Sequence, residues 1–145
     1  MYQKIVIVGN LGRDPEMRYM SDGTAVTNFS IATNRRWTDR SSGQPTDETT
    51  WFRVSVWGKQ AETTNQYLNK GSKVLVEGRL RPDENGGPRT YTGQDGIVRA
   101  SFEITAEAVR FLSGRDDGPG YVPAGGDVGY QGGGSPAQEE DDIPF

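Results

Sequence analysis

The chain has 145 residues, with 16 Lys and Arg against 20 Asp and Glu, 32% apolar content, and neither cysteine nor histidine. This length accommodates one domain. The missing thiols exclude a disulfide framework or thiolate metal site, and the missing imidazoles remove the commonest general base and metal ligand, so no hydrolase, metal centre or cofactor chemistry is expected. The net charge of −4 is unevenly distributed: through Leu112 there are 15 cations against 13 acids, and in the remaining 33 residues one Arg against seven acids. A mildly basic body with an acidic tail suggests a polyanion partner plus an interaction tail.

From the N-terminus, Ile5-Val6-Ile7-Val8 follows Met1 without a basic leader or cleavage site. No apolar stretch reaches the roughly 18 residues of a membrane span. A cytoplasmic protein with no membrane association is expected. Lys4 to Val8, ended by Gly9-Asn10, reads as a strand buried on both faces. Gly9-Asn10-Leu11-Gly12 lacks the Gly-Lys-Ser/Thr and the βαβ context of a phosphate loop, and reads as a barrel corner. Met17 to Met20 reads as a short edge piece before the Ser21-Asp22-Gly23 turn, and Ala25 to Asn34 alternates as a strand. After the loop at Ser41 to Pro45, Thr50 to Trp57 is the clearest strand. Gln60 to Asn69 has helical spacing, with Ala61, Asn65 and Leu68 on one side and Gly71 as its C-terminal stop. Val74 to Leu80 resumes strand, Asp83 to Pro88 is turn-rich, and Val98 to Phe111 is a last long strand. Three strands, a helix and two strands are the layout of a mainly β, five-stranded Greek-key OB barrel, with its helix between strands three and four. The tail holds nine Gly and four Pro without periodicity, which reads as a disordered linker. The expected division is residues 1–112 as the folded domain, 113–138 as linker and 139–145 as an acidic tip.

Side chains alternate between the faces of a strand. Phe52, Val54 and Val56 therefore line the barrel interior, while Trp51, Arg53, Ser55 and Trp57 face away from it. Two tryptophans opposite a core need a reason, because large exposed aromatics are a liability in a monomer. They pack under a loop or another subunit, or they form a stacking platform for bases, worth about 1–3 kcal/mol per base. Arg35-Arg36-Trp37 and Arg89-Thr90-Tyr91 again set cations beside aromatics, and Lys59, Lys70, Arg79 and Arg81 add charge around the same elements. Basic groups interleaved with aromatics suit a polymer of phosphates and bases.

Five segments in order carry a family resemblance: Val8 to Tyr19, Phe29 to Thr33, Trp51 to Val54, Tyr67 to Ser72, and Val76 to Leu80. They resemble the bacterial single-stranded DNA-binding proteins over roughly residues 2–111 and again at the C-terminal tip. The resemblance implies sequence-tolerant, non-catalytic binding and protection of single-stranded DNA in replication, recombination and repair. It implies a homotetramer and a nucleoid-associated protein of the bacterial cytoplasm. The family's stacking aromatics fall on Trp37, Trp51 and Trp57. Tyr91 stands where a fourth, usually tryptophan, occurs, after an extra loop at Pro82 to Pro88. Phosphate contacts carry over to Arg18, Arg53, Lys59 and Lys70. Arg35, Arg36, Arg79 and Arg81 join them by position and charge.

The chain ends Glu139-Glu140-Asp141-Asp142-Ile143-Pro144-Phe145. An acidic run is commonly just a solubilising terminus, but Ile143 and Phe145 have no core to join, and a terminal carboxylate beside an aromatic suits a pocket rimmed by Arg or Lys. Asp141, Asp142, Ile143, Pro144 and Phe145 resemble the family's partner-docking tip, through which replication and repair proteins are recruited. Two rivals stay open: an RNA-binding OB module, and a protein-interaction domain that buries its tryptophans in a partner. A metal enzyme built on Asp14 and Glu16 is a remote third.

Overall fold

The computed structural model describes residues 1–113. In chain order the elements are β1 (Ile5–Leu11), β2 (Glu16–Tyr19), β3 (Ala25–Thr38), β4 (Pro45–Trp57), α1 (Lys59–Tyr67), β5 (Lys73–Leu80), β6 (Arg89–Thr92) and β7 (Val98–Phe111). Five strands run β1-β5-β7-β4-β3, and β1 then pairs with β3. This pairing closes the barrel, as expected for an OB fold. Only β4–β7 is parallel, and β2 and β6 are additions, on β3 and β7 respectively.

Closure depends on Gly9, since a Cβ there would run into the backbone carbonyl of Ala32. Inside, Phe29, Ile31, Val54, Val56, Val74, Val76 and Ile104 are almost wholly buried. They come from alternate positions of β3, β4, β5 and β7, as a period of two requires. The helix sits against β3 and β4, and the Thr27 hydroxyl donates to the Ala61 carbonyl at 2.7 Å.

The structure corrects the sequence reading at four points. First, β1 buries only one face: Ile7 and Leu11 point inward, while Val6 (56% exposed) and Val8 (49%) lie open on the outside of the barrel. Second, Thr64, not Asn65, joins Ala61 and Leu68 in burial. The helix ends where Leu68 turns extended, its N–H still bonded to the Thr64 carbonyl, and Gly71 belongs to the turn that follows. Third, β3 and β4 extend well past Asn34 and Thr50 as an overhanging ribbon, paired without a break from Val26↔Trp57 to Thr38↔Pro45. The polar overhang has no apolar alternation to announce it and is held by ladder hydrogen bonds. Fourth, β6 forms a hairpin with β7 after the extra loop, at the place where the family resemblance sets Tyr91, and so adds a short strand that the count of five did not include. The expectations for residues beyond 113, including the linker and the tip at Asp141 to Phe145, lie outside the described residues.

Candidate nucleic-acid interface

The outward row of β4 is Trp51, Arg53, Ser55 and Trp57, with Trp51 53% and Trp57 42% exposed. The indoles are six residues apart, roughly 20 Å along the strand. Their neighbours across the ladder on β3 are small: Ala32 faces Trp51, Ser30 faces Arg53, and Asn28 faces Ser55. The Ser55 hydroxyl donates to Asn28 Oδ1 at 2.7 Å. The result is a shallow floor between raised aromatic ends.

On the other side of β4, the β6–β7 hairpin lies alongside this floor. It brings Tyr91 beneath the Arg53 guanidinium, 5.4 Å from ring centroid to Cζ. Trp51, Arg53, Tyr91 and Phe102 thus line one groove of about 530 Å³. Phe102 packs on Phe52 at 5.6 Å between ring centroids and is half exposed. Sequence reasoning missed Phe102 because its parity with Ile104 places it on the core face. Its exposure is a tertiary property that alternation does not report.

At the other end of β4, Trp57, Val26 and Arg18 stand directly opposite one another across β4, β3 and β2. Lys59 begins the helix two residues beyond Trp57. Lys70 is fixed at the near end, where its N–H donates to Asp14 Oδ1 at 2.7 Å and the Gly71 N–H to the Leu11 carbonyl at 2.8 Å. Asp14 is therefore engaged with backbone, and Glu16 lies 3.9 Å from Arg13. Among the described residues, no cluster of three or more Asp, Glu, His or Cys is arranged to hold a metal ion.

The remaining residues do not converge on this face in the same way. Because the β3–β4 register is unbroken, Arg35 and Trp37 share the parity of Phe29 and Ile31, on the side of the ribbon opposite Trp51. There Arg35 stacks on the Trp37 ring at 5.1 Å. Arg36 has the parity of Trp51's face but pairs with Asp47 at 3.0 Å. Arg79 pairs with Glu107 at 3.0 Å, and Arg81 lies 3.9 Å from Glu103, which also approaches Arg89 at 3.6 Å. Among the described residues, Arg18, Arg35, Arg53, Lys59 and Lys70 make no ion pair. Those five cations are ready for an external anion without first giving up a carboxylate.

The model of the single-strand binding protein family matches residues 2–112. The chain belongs to the single-strand binding protein family. This member is 43% identical over 120 residues to the single-stranded DNA-binding proteins of two Neisseria meningitidis strains, one of serogroup A and one of serogroup B. Each match covers 83% of this chain, and the chain spans 65% of those relatives' length. Among solved structures, the Plasmodium falciparum SSB in complex with ssDNA superposes with a TM-score of 0.64 at 27% identity. That match covers 78% of this chain and 97% of the other. No described helix is long and apolar enough to cross a membrane.

Proposed function

We propose that this family member binds single-stranded DNA with little regard to sequence, and without catalysis. Bases stack on Trp51, Trp57 and Tyr91, and Arg18, Arg53, Lys59 and Lys70 neutralise phosphates. The observation that carries the reading is the outward row of β4, which presents two half-exposed indoles flanking an arginine that has no carboxylate partner among the described residues. Every base offers a π-face, so such a row discriminates weakly among sequences. Neutralised phosphates release counterions, so added salt weakens the complex. Trp37 and Arg35, on the far side of the ribbon, are reached by a strand that passes around its edge, and Arg36, Arg79 and Arg81 contribute once they leave their carboxylates.

In the same reading the coated strand is protected and kept from reannealing during replication, recombination and repair in the bacterial cytoplasm, at the nucleoid. Residues 1–112 form the binding domain and 113–138 a linker. Asp141, Asp142, Ile143, Pro144 and Phe145 recruit partner proteins through an apolar pair set among acids. The chain works as a homotetramer, a reading supported by the open outer face of β1.

Titration with oligothymidine tests the central claim. Tryptophan fluorescence quenches strongly in the parent protein, and the Trp51→Ala/Trp57→Ala variant binds about thirtyfold or more weakly, as expected when two stacking contacts are lost. Full affinity in that variant eliminates the stacking role. A matched RNA oligomer that competes equally well shifts the reading to RNA.

A further inference from the structure

The distal edge of the Trp51 ring abuts Gly12, in the loop between β1 and β2. A Cβ built on Gly12 falls 2.5 Å from Trp51 Cζ3 and 2.6 Å from Cη2, far inside the 3.5–4.0 Å at which carbon atoms normally meet. Nothing in the backbone asks for glycine here. The glycines with positive φ are Gly23, Gly43, Gly58, Gly71, Gly86 and Gly96, and Gly12 is not one of them. Its N–H donates to the Ser30 carbonyl at 3.1 Å, an ordinary ladder-type bond that alanine makes equally well. The next small residue beneath the indole is Ala32, directly opposite Trp51 on β3.

We infer that Gly12 is a positioning residue for the interface. Its missing side chain lets the distal edge of the Trp51 ring come up against the chain, and that contact sets how the indole is oriented toward the groove. This rests on the reading of Trp51 as a stacking surface. A methyl group at position 12 lifts the ring by about an ångström or more to restore normal contact. The displaced ring changes the wall of the groove that it shares with Tyr91 and Arg53. The glycine thus acts on binding through the indole alone.

A double-mutant cycle on the full chain tests this. A phenyl ring at position 51 lacks the two distal atoms that meet the added methyl group. Gly12→Ala is expected to weaken binding of a labelled oligothymidine about tenfold in the Trp51 protein, in line with the loss of one stacking contact. In the Trp51→Phe background the same substitution changes affinity by less than about twofold, and both proteins keep their cooperative melting transition. An equal loss in both backgrounds, no loss in either, or a lost melting transition in both overturns the inference, because each outcome assigns the glycine a role that does not pass through the indole. Trp51→Ala is measured alongside. Full affinity there fells the stacking reading itself, whereas weak binding there with a neutral Gly12→Ala fells only the role given to Gly12.

Discussion

Arg36 and Asp47 face each other across the β3–β4 ladder at 3.0 Å, and both side chains are mostly in solvent. Such exposed pairs add little to stability, at most about 1 kcal/mol. Their larger effect is on what approaches from outside, because Asp47 cancels a cation on the face that carries Trp51 and places a negative charge in the path proposed for a phosphate. Asp47→Asn is therefore expected to tighten oligothymidine binding by about two- to fivefold at low ionic strength, with the gain fading once the Debye length shrinks to a few ångströms near molar salt. Filter binding across a salt series reads this directly, and an unchanged low-salt affinity contradicts it. At this scale the sequence was legible where parity and pairing coincide: Trp51, Arg53, Ser55 and Trp57 can be placed from alternation alone. Ion pairing was not legible, because Arg36–Asp47 and Arg79–Glu107 join separate strands whose register the sequence does not print.

Elements were legible in proportion to their apolar content. The apolar cores of β3, β4, β5 and β7 were read from alternation, whereas the ends of the polar ribbon and the short β6 were not, since ladder bonds leave no periodic trace. The β6–β7 hairpin also shows how a short element is held. At its tip Asp95 accepts hydrogen bonds from Arg99 (2.9 Å to Nη1) and from the Ile97 N–H (3.1 Å). The Arg99 guanidinium first, and the Ile97 N–H second, hold this carboxyl below its ordinary value of 3.8. A carboxyl depressed in the folded state stabilises the turn in full well above 3.8, and that contribution is lost as the pH falls through the depressed value. Tyr91 stands directly opposite Arg99, so the order of the tip bears on the groove. In an NMR acid titration the Ile97 amide is expected to move with a midpoint below 3.8, and Asp95→Asn is expected to speed its hydrogen exchange at neutral pH. A midpoint at or above 3.8 removes the argument.

On the scale of the whole molecule, β1 reads in sequence as a strand covered on both sides, whereas the single barrel covers only one. Val6 and Val8 stand on the outer face of β1, and Leu75, half-buried, lies opposite Val8 on β5. Neither valine lines the groove at Trp51. Covering a valine fully is worth about 1.5–3 kcal/mol, so a second copy laid on this face gains from each of four valines in a two-fold pair. The apolar run and the open face are reconciled if the barrel does not stand alone, which is the basis for the proposed homotetramer. A charge in that contact has no partner, and its desolvation opposes assembly. Val6→Asp/Val8→Asp is therefore expected to lower the mass measured by light scattering from that of a tetramer to that of a smaller species, and to weaken the concentration dependence of the melting temperature that an assembled protein shows. Because the β4 row remains intact in the separated chains, a short thymidine oligomer still quenches their tryptophans, whereas a long strand spanning several barrels binds more weakly. An unchanged mass assigns the two valines to ordinary surface and leaves assembly, if it occurs, to another face.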